Sequence, residues 1–490
     1  MALRNWILIS AALFAVCEPG FAQAPAPTNS LQQRLEQMMD SGPGAWTPEQ
    51  LATMAKLRDA AVSDPYALNE LRHLTDNIGP RIAGSPQAQA AVDYVANEMK
   101  ALGAGVQLEK TTVPHWVRGT ETGALLAWPG MAPETTQKIV LTALGGSVAT
   151  APDGLTANVV VVNNFEELKA LPAGAVKGKI LLFNECFDKR LAAQGNGLAA
   201  YGAAVLYRGA GPSVAASYGA AAVLVRSVGN ADFRLPHTGA TFYTDGVVKI
   251  PAAAVAAEDA DLLADLAKQG AVTIRLTLTP QNLPPVTSYN VIADWKGSEH
   301  PEQMAIVSGH LDSWDLGTGA IDDGAGIVVS MQAIHLLQKL GIHPRRTVRF
   351  VAWMDEEQGG EGAQTYAQEH AGELSNHIGA LESDLGADHP DGITCAGKPE
   401  LAEYLKPVAR VLDTIGASTL TSSEDAGEDV SSLKGVPQFA PTQDSRFYFN
   451  YHHTAADTFD KVDPKLLGEN AAVMSVVAYA LADAATPAPR

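Results

Sequence analysis

Cysteine is scarce: three in 490 residues, at Cys17, Cys186 and Cys395. Loss of an N-terminal export segment would leave Cys186 and Cys395, which fall in different expected domains. They read as buried free thiols, not a disulfide pair, and neither has the surroundings of a nucleophile. Basic residues are also short, with 34 Lys and Arg against 54 Asp and Glu for a net charge of -20. That balance excludes nucleic acid, whose affinity rests on cations paired with phosphates, and adhesion to an anionic membrane. Long apolar runs are missing beyond the N-terminus, so no transmembrane span is expected. With 46% hydrophobic and 18% charged residues, the composition leaves no case for global disorder.

At the N-terminus, Arg4 is followed by an apolar stretch over 6–16 and small residues at Gly20, Ala22 and Ala24. This reads as a cleaved signal, residues 1–22, and implies an exported protein, periplasmic or secreted. The remaining chain is too long for one ordinary core, so two structural units are expected. Residues 31–62 read as helical with a break near Gly42 to Gly44. Helix, loop and helix follow over 65–103, then a strand over 106–117.

From 120 to 284 the chain is dense in Ala, Gly and Val, with short strand candidates at 157–162, 179–183, 221–225 and 272–278. Charged clusters return only after Leu283-Pro284-Pro285. The later order is strand 288–295, strand 304–308, helix 325–340, strand 346–354, then loop and helix. Strands alternating with helices imply an α/β sandwich with a largely parallel core and its site in the loops after strands. The middle stretch is therefore read as an insertion, residues 120–284, dividing one domain into 29–119 and 285–485.

Five segments carry candidate chemistry. In GHLDSWD, His310 ends an apolar strand and Asp312 is spaced to orient its imidazole. In GAIDDGAG, Asp322 and Asp323 precede an apolar helix, where they also suit helix capping. In MDEEQGG, Asp355, Glu356 and Glu357 follow a buried-type strand, and three adjacent acids there are costly without a cation. LESDLG places Asp384 at another strand end, and YHHTAADT carries the pair His452 and His453. Together they supply the mixed nitrogen and oxygen ligands suited to zinc.

This ordered set resembles the zinc-dependent M28 peptidase family, and within it a glutamate carboxypeptidase-like branch with secreted bacterial members. The similarity runs from about residue 67 to the C-terminus and includes the insertion. It implies a three-layer α/β/α sandwich of zinc-exopeptidase type with an inserted β-rich protease-associated domain. It also implies two zinc ions per chain: His310 and Asp384 on one, Glu357 and His453 on the other, Asp322 bridging. His453 is chosen over His452 because it stands four residues before Asp457-Thr458, as the family's ligand does. The Asp322–Asp323 peptide is expected to be cis, and the protein a homodimer.

The implied reaction is amide hydrolysis by a metal-activated water, with Glu356 as general base and acid and Asp312 behind His310. On an extended segment Glu356 and Glu357 would point opposite ways, one to the water and one to metal. The expected substrates are dipeptides or the N-terminal residues of short peptides. Tyr448 and Tyr451 are candidate donors to the oxyanion, and Glu382, Asp315 or Asp429 candidate partners for a free amine. Arg446 would instead engage a C-terminal carboxylate, the alternative carboxypeptidase reading. A receptor-like protein without catalysis and a one-zinc glutaminyl cyclase are rival readings; the complete ligand set speaks against both. The insertion reads as a lid that shapes the cleft.

Overall fold

The computed structural model describes residues 45–490; the signal and the helical reading of residues 31–44 lie outside them. The first helix, Pro48–Ser63, opens on a capping box: the Thr47 hydroxyl accepts from Gln50 N and the Gln50 side chain accepts from Thr47 N. Tyr66–Arg72 then runs into a π-helical turn, His73–Ile78, and Pro86–Ala101 starts at the Ser85 cap.

An eight-stranded sheet follows, in the spatial order Gly105–Val117, Gln281–Trp295, Arg346–Trp353, His300–His310, His377–Glu382, Gln438–Gln443, Pro390–Ala396 and Thr419–Ser423. The third to sixth strands of that order are mutually parallel. Their near-continuous apolar sequences suit strands covered on both faces. Helices Ala325–Leu340 and Pro464–Asp483 pack over one face. Over the other, Ile306, Val351 and Trp353 share a core with Tyr366 of helix Glu361–Glu369 and with Val430. Three α/β/α layers result.

Pro464–Asp483 qualifies by length and apolar content for a membrane span, contrary to the expectation that no later segment would. Within the fold 89% of the qualifying window is buried. It is apolar all round because protein covers it all round.

A second eight-stranded sheet lies between Glu121 and Leu278, with the order Gln137–Ile139, Glu121–Ala127, Thr273–Leu278, Leu155–Val162, Ile180–Phe183, Ala222–Arg226, Ala252–Val255 and Leu141–Ala143. This stretch is not simply β-rich: it also contains helices, Gly197–Gly209 and Ala257–Gln269 the longest of them. Leu283-Pro284-Pro285, where the insertion is expected to end, is itself part of a strand. It lies inside the strand Gln281–Trp295, at the register shift opposite Val113 and His115. Two prolines are tolerated because the inner neighbour Arg346–Trp353 pairs only from Val291 onward. Both cysteines are free, but Cys186 is exposed, not buried; only Cys395 is enclosed.

Candidate metal centre

The three central strands Arg346–Trp353, His300–His310 and His377–Glu382 deliver their C-terminal ends side by side. His310 ends one; Glu356 and Glu357 follow the second, and Asp384 follows the third. Asp322 enters from the turn before helix Ala325–Leu340, and the Asp322–Asp323 peptide is cis. The two aspartates divide the roles that the sequence left open. Asp323 is the cap, accepting from Gly326 N at 3.0 Å and from His310 N at 3.0 Å. Asp322 is left to face the strand ends. Gly309 and Gly326 permit this close approach: a Cβ on Gly309 would come within 2.4 Å of Asp323 Oδ2, and one on Gly326 within 1.9 Å of the Ser383 carbonyl.

The side chains form a chain of contacts with Asp322 in the middle. His310 Nε2 lies 3.2 Å from Asp384 Oδ1 and 3.2 Å from Asp322 Oδ1. Asp322 Oδ2 lies 3.2 Å from His453 Nε2, which is 3.0 Å from Glu357 Oε2. His452 stacks on His453 with ring centroids 3.6 Å apart, and its Nε2 is 3.6 Å from Asp322 Oδ2. Of the two histidines, His453 is the one in contact with Glu357.

These contacts fit a bound cation. His310 Nδ1 faces the Asp312 carbonyl at 3.1 Å, an acceptor, so Nδ1 carries the ring proton. In the neutral imidazole, Nε2 then turns a lone pair toward two carboxylates, an arrangement that is repulsive without a positive charge between them. Asp322 Oδ2 and Glu357 Oε1 are buried without a hydrogen-bond partner among the described residues. His310, Asp322 and Asp384 can hold one ion, and Asp322, His452 and His453 a neighbouring one.

The same carboxylates set the titration of the imidazoles: this is a site that draws positive charge, as a proton or as a metal ion. Burial opposes charge on His310, but Asp384 and Asp322 override it and hold its pKa well above the ordinary imidazole value. His453 is likewise raised to about 9, by Glu357 and Asp322 against burial. Asp322 is held well below the carboxylate range despite burial, chiefly by His310, His452 and His453. Glu356 is pushed well above it by burial, with Asp384 and Glu357 adding to the effect.

Asp312 lies beneath the site, but differently from expectation. Its carbonyl orients His310, whereas its carboxylate accepts from the backbone N–H groups of Asp355, Glu356 and Glu357 at 2.7, 3.2 and 3.4 Å. Those residues form a turn, with Asp355 at φ 77°, not an extended segment. Glu356 and Glu357 therefore diverge by turn geometry, not by strand alternation.

Tyr448 is buried, with its ring 5.0 Å from that of His452. Burial and the nearby Asp322 and Asp384 hold its phenol neutral. Tyr451 faces Lys461. Arg446 is exposed and forks onto Asp444, so it is not part of the cluster. Asp315 is held by Arg118, and Glu382 accepts from the N–H groups of Asp429 and Val430. Asp429 is buried with both carboxylate oxygens unpartnered among the described residues.

Residues of the second sheet's segment also reach the site, and sequence reasoning missed them. Thr238 N donates to the His453 carbonyl at 2.8 Å, and His237 Nδ1 meets the His452 carbonyl at 2.7 Å. Buried Arg208 places Nη1 3.2 Å from His453 Nδ1. A lone arginine in the Ala/Gly-rich helix Gly197–Gly209 was the available signal.

A helix-covered sheet with a parallel core and convergent imidazoles and carboxylates at its strand ends is the arrangement of a metallopeptidase. The chain belongs to peptidase family M28, which residues 290–478 match. Carboxypeptidase Q of Homo sapiens is 35% identical over 480 residues, covering 97% of this chain and 95% of that protein. The solved peptidase M28 precursor of Shewanella amazonensis is 36% identical, with a TM-score of 0.84 over 90% of this chain and 98% of that one. A zinc aminopeptidase of Bacillus subtilis, 20% identical, shares the fold with a TM-score of 0.59 over 86% of this chain and 97% of that one.

Proposed function

We propose that this protein is an exported two-zinc exopeptidase that releases N-terminal residues from dipeptides and short peptides. The observation that carries the reading is Asp322 standing between His310 and His453, one carboxylate oxygen toward each. His310 and Asp384 would hold one zinc, His453 and Glu357 the other, and Asp322 both. The donor set of two imidazoles and three carboxylates suits zinc. When bound, the ions would acidify a water and polarise the scissile carbonyl.

Glu356, free of any hydrogen bond to its carboxylate among the described residues, accepts the proton of the attacking water and passes it to the leaving amine. Asp312 fixes the turn that presents Glu356. Tyr448, a neutral phenol beside the cluster, is the candidate donor to the oxyanion. The segment carrying the second sheet serves as a protease-associated-type lid, limiting substrate length while its Thr238 and His237 secure the His452–His453 loop. A homodimer is expected, with light scattering as its test.

Glu356→Gln, which keeps shape and removes the base, is expected to lower kcat by about a hundred- to ten-thousandfold while about two zincs per chain remain bound. Near-normal turnover would remove Glu356 from the role. Hydrolysis of free but not N-blocked dipeptides supports action from the N-terminus; a requirement only for a free C-terminus would favour carboxypeptidase action.

A further inference from the structure

The two imidazoles of the metal centre are backed by groups of opposite charge. Behind His310 stands Asp312: its carbonyl faces Nδ1 at 3.1 Å, and its carboxylate Oδ1 lies 3.8 Å from the same nitrogen. Behind His453 stands Arg208, which reaches over from helix Gly197–Gly209 with Nη1 3.2 Å from Nδ1. Both backing groups are buried.

Arg208 is held there without a countercharge. Its Nη1 donates to the Thr238 carbonyl at 3.4 Å, and its Nε has no hydrogen-bond partner among the described residues. The guanidinium lies 5.4 Å from the centre of the Tyr201 ring and against Gly239, where a Cβ would come within 2.3 Å of Cζ. No described carboxylate forms an ion pair with it. An unpaired buried charge is costly, and an apolar side chain of the same length would fill the space as well.

Nor is the contact with His453 a hydrogen bond once Nε2 faces a metal. A neutral imidazole that offers Nε2 to a cation carries its proton on Nδ1, and that proton has the Thr238 carbonyl as its acceptor, 3.3 Å away. Arg208 then sets a full positive charge beside an N–H group that cannot accept from it. A carboxylate behind a ligand imidazole strengthens its donation to the metal. A cation in that place opposes it, by the same Coulomb interaction with the sign reversed.

We infer that Arg208 makes the two metal positions unequal: the zinc on His453 and Glu357 is the more weakly held and more exchangeable ion, the zinc on His310 and Asp384 the tighter. The inference rests on the two-zinc reading and adds to it an order of filling. It also gives the second sheet's segment an electrostatic part in the metal centre. Arg208 plays that part through His453 and touches no reacting atom.

Chelator competition on the full-length zinc protein, with metal content measured at each step, tests the inequality. The wild type is expected to lose its two zincs in two stages, with affinities about tenfold or more apart. Anomalous scattering from crystals stripped of the first zinc should show the ion by His453 gone and the ion by His310 retained. Arg208→Met removes the charge and keeps most of the length, and should tighten the weaker zinc about tenfold. Arg208→Lys keeps the charge and should bind both zincs as the wild type does.

The sign of the change separates charge from scaffolding, because removing a mere prop of the His453 loop would weaken the zinc. Weaker or unchanged binding in Arg208→Met therefore overturns the inference, as does first loss from the His310 side in the wild type. Tightening in Arg208→Lys equal to that in Arg208→Met overturns it too. If Arg208→Met does not fold, the order of stripping in the wild type decides alone. Two zincs that leave together with equal affinity refute the inequality and keep the two-zinc reading; a protein that takes up only one refutes both.

Discussion

Asp312 shows how one side chain can hold a site without touching its substrate. Fully buried, it gives its carbonyl to His310 and its carboxylate to three successive N–H groups of the 355–357 turn. Asp312→Ala would leave those donors buried and unpaired, at about 1–3 kcal/mol for each. The turn carrying Glu356 and Glu357 would then relax. We expect zinc affinity, measured by chelator competition, to fall about 10–100-fold, and kcat to fall with it. Asp312→Asn retains an acceptor oxygen and should lose less of both. Equal effects in the two variants would contradict a role through the turn. The sequence suggested Asp312 from its spacing to His310, a local signal. Its carboxylate partners lie more than forty residues away, and only the pairing of strands His300–His310 and Arg346–Trp353 brings them together. The same limit hid Thr238, His237 and Arg208, whose contacts with the His452–His453 loop cross from one sheet to the other.

At the scale of elements, the strands were legible where apolar runs met charged ends. The four short candidates between 120 and 284 each coincide with a strand, and helix 325–340 has the bounds its periodicity suggested. The start of strand Gln281–Trp295 was not legible through its double proline, because breaker chemistry is read locally, whereas tolerance of proline depends on which edge of a strand is paired. Strand His377–Glu382, which leads to Asp384, begins on a fully buried histidine. His377 Nε2 meets the Tyr366 hydroxyl at 2.7 Å and Nδ1 the Glu373 carbonyl at 3.0 Å, with Arg349 on the far side of Tyr366. Burial, aided by the nearby positive charges of Arg349 and His370, lowers its pKa to about 4, against the Glu373 carbonyl. The unfolded chain, near 6.5, therefore binds more protons between the two values. Stability from the neutral ring is complete above pH 6.5 and is lost as pH falls toward 4, by up to about 3 kcal/mol. Urea unfolding at pH 7.5, 6 and 4.5 should show this decline, with a flatter one in His377→Gln. An unchanged slope would exclude His377 as its source.

For the whole molecule the decisive question is whether the segment Glu121–Leu278 is an appendage or part of the catalytic body. Trp116 and Trp314 share a continuous core with Leu125, Leu276 and Leu278 of that segment, which argues for one body. Arg118, at the first crossing between the sheets, joins them through polar contacts. Its guanidinium grips Asp315 at 2.6–2.9 Å and also reaches Thr142 Oγ1, the Ala143 carbonyl and Thr238 Oγ1 at 2.7, 2.7 and 3.2 Å. Thr238 in turn donates to the His453 carbonyl, so a path of direct contacts links the crossing to the metal centre. Arg118→Met would strand the largely buried carboxylates of Asp315 and Glu121, at a cost of about 3–5 kcal/mol. Arg118→Lys restores the charge but not the planar fork, and should recover stability only in part. If the two sheets act as one body, Arg118→Met must lower zinc affinity as well as the urea midpoint, because it loosens the support of His453. A variant that unfolds earlier but binds zinc normally when folded would make the second sheet a separate lid, and would confine its influence to the choice of substrate.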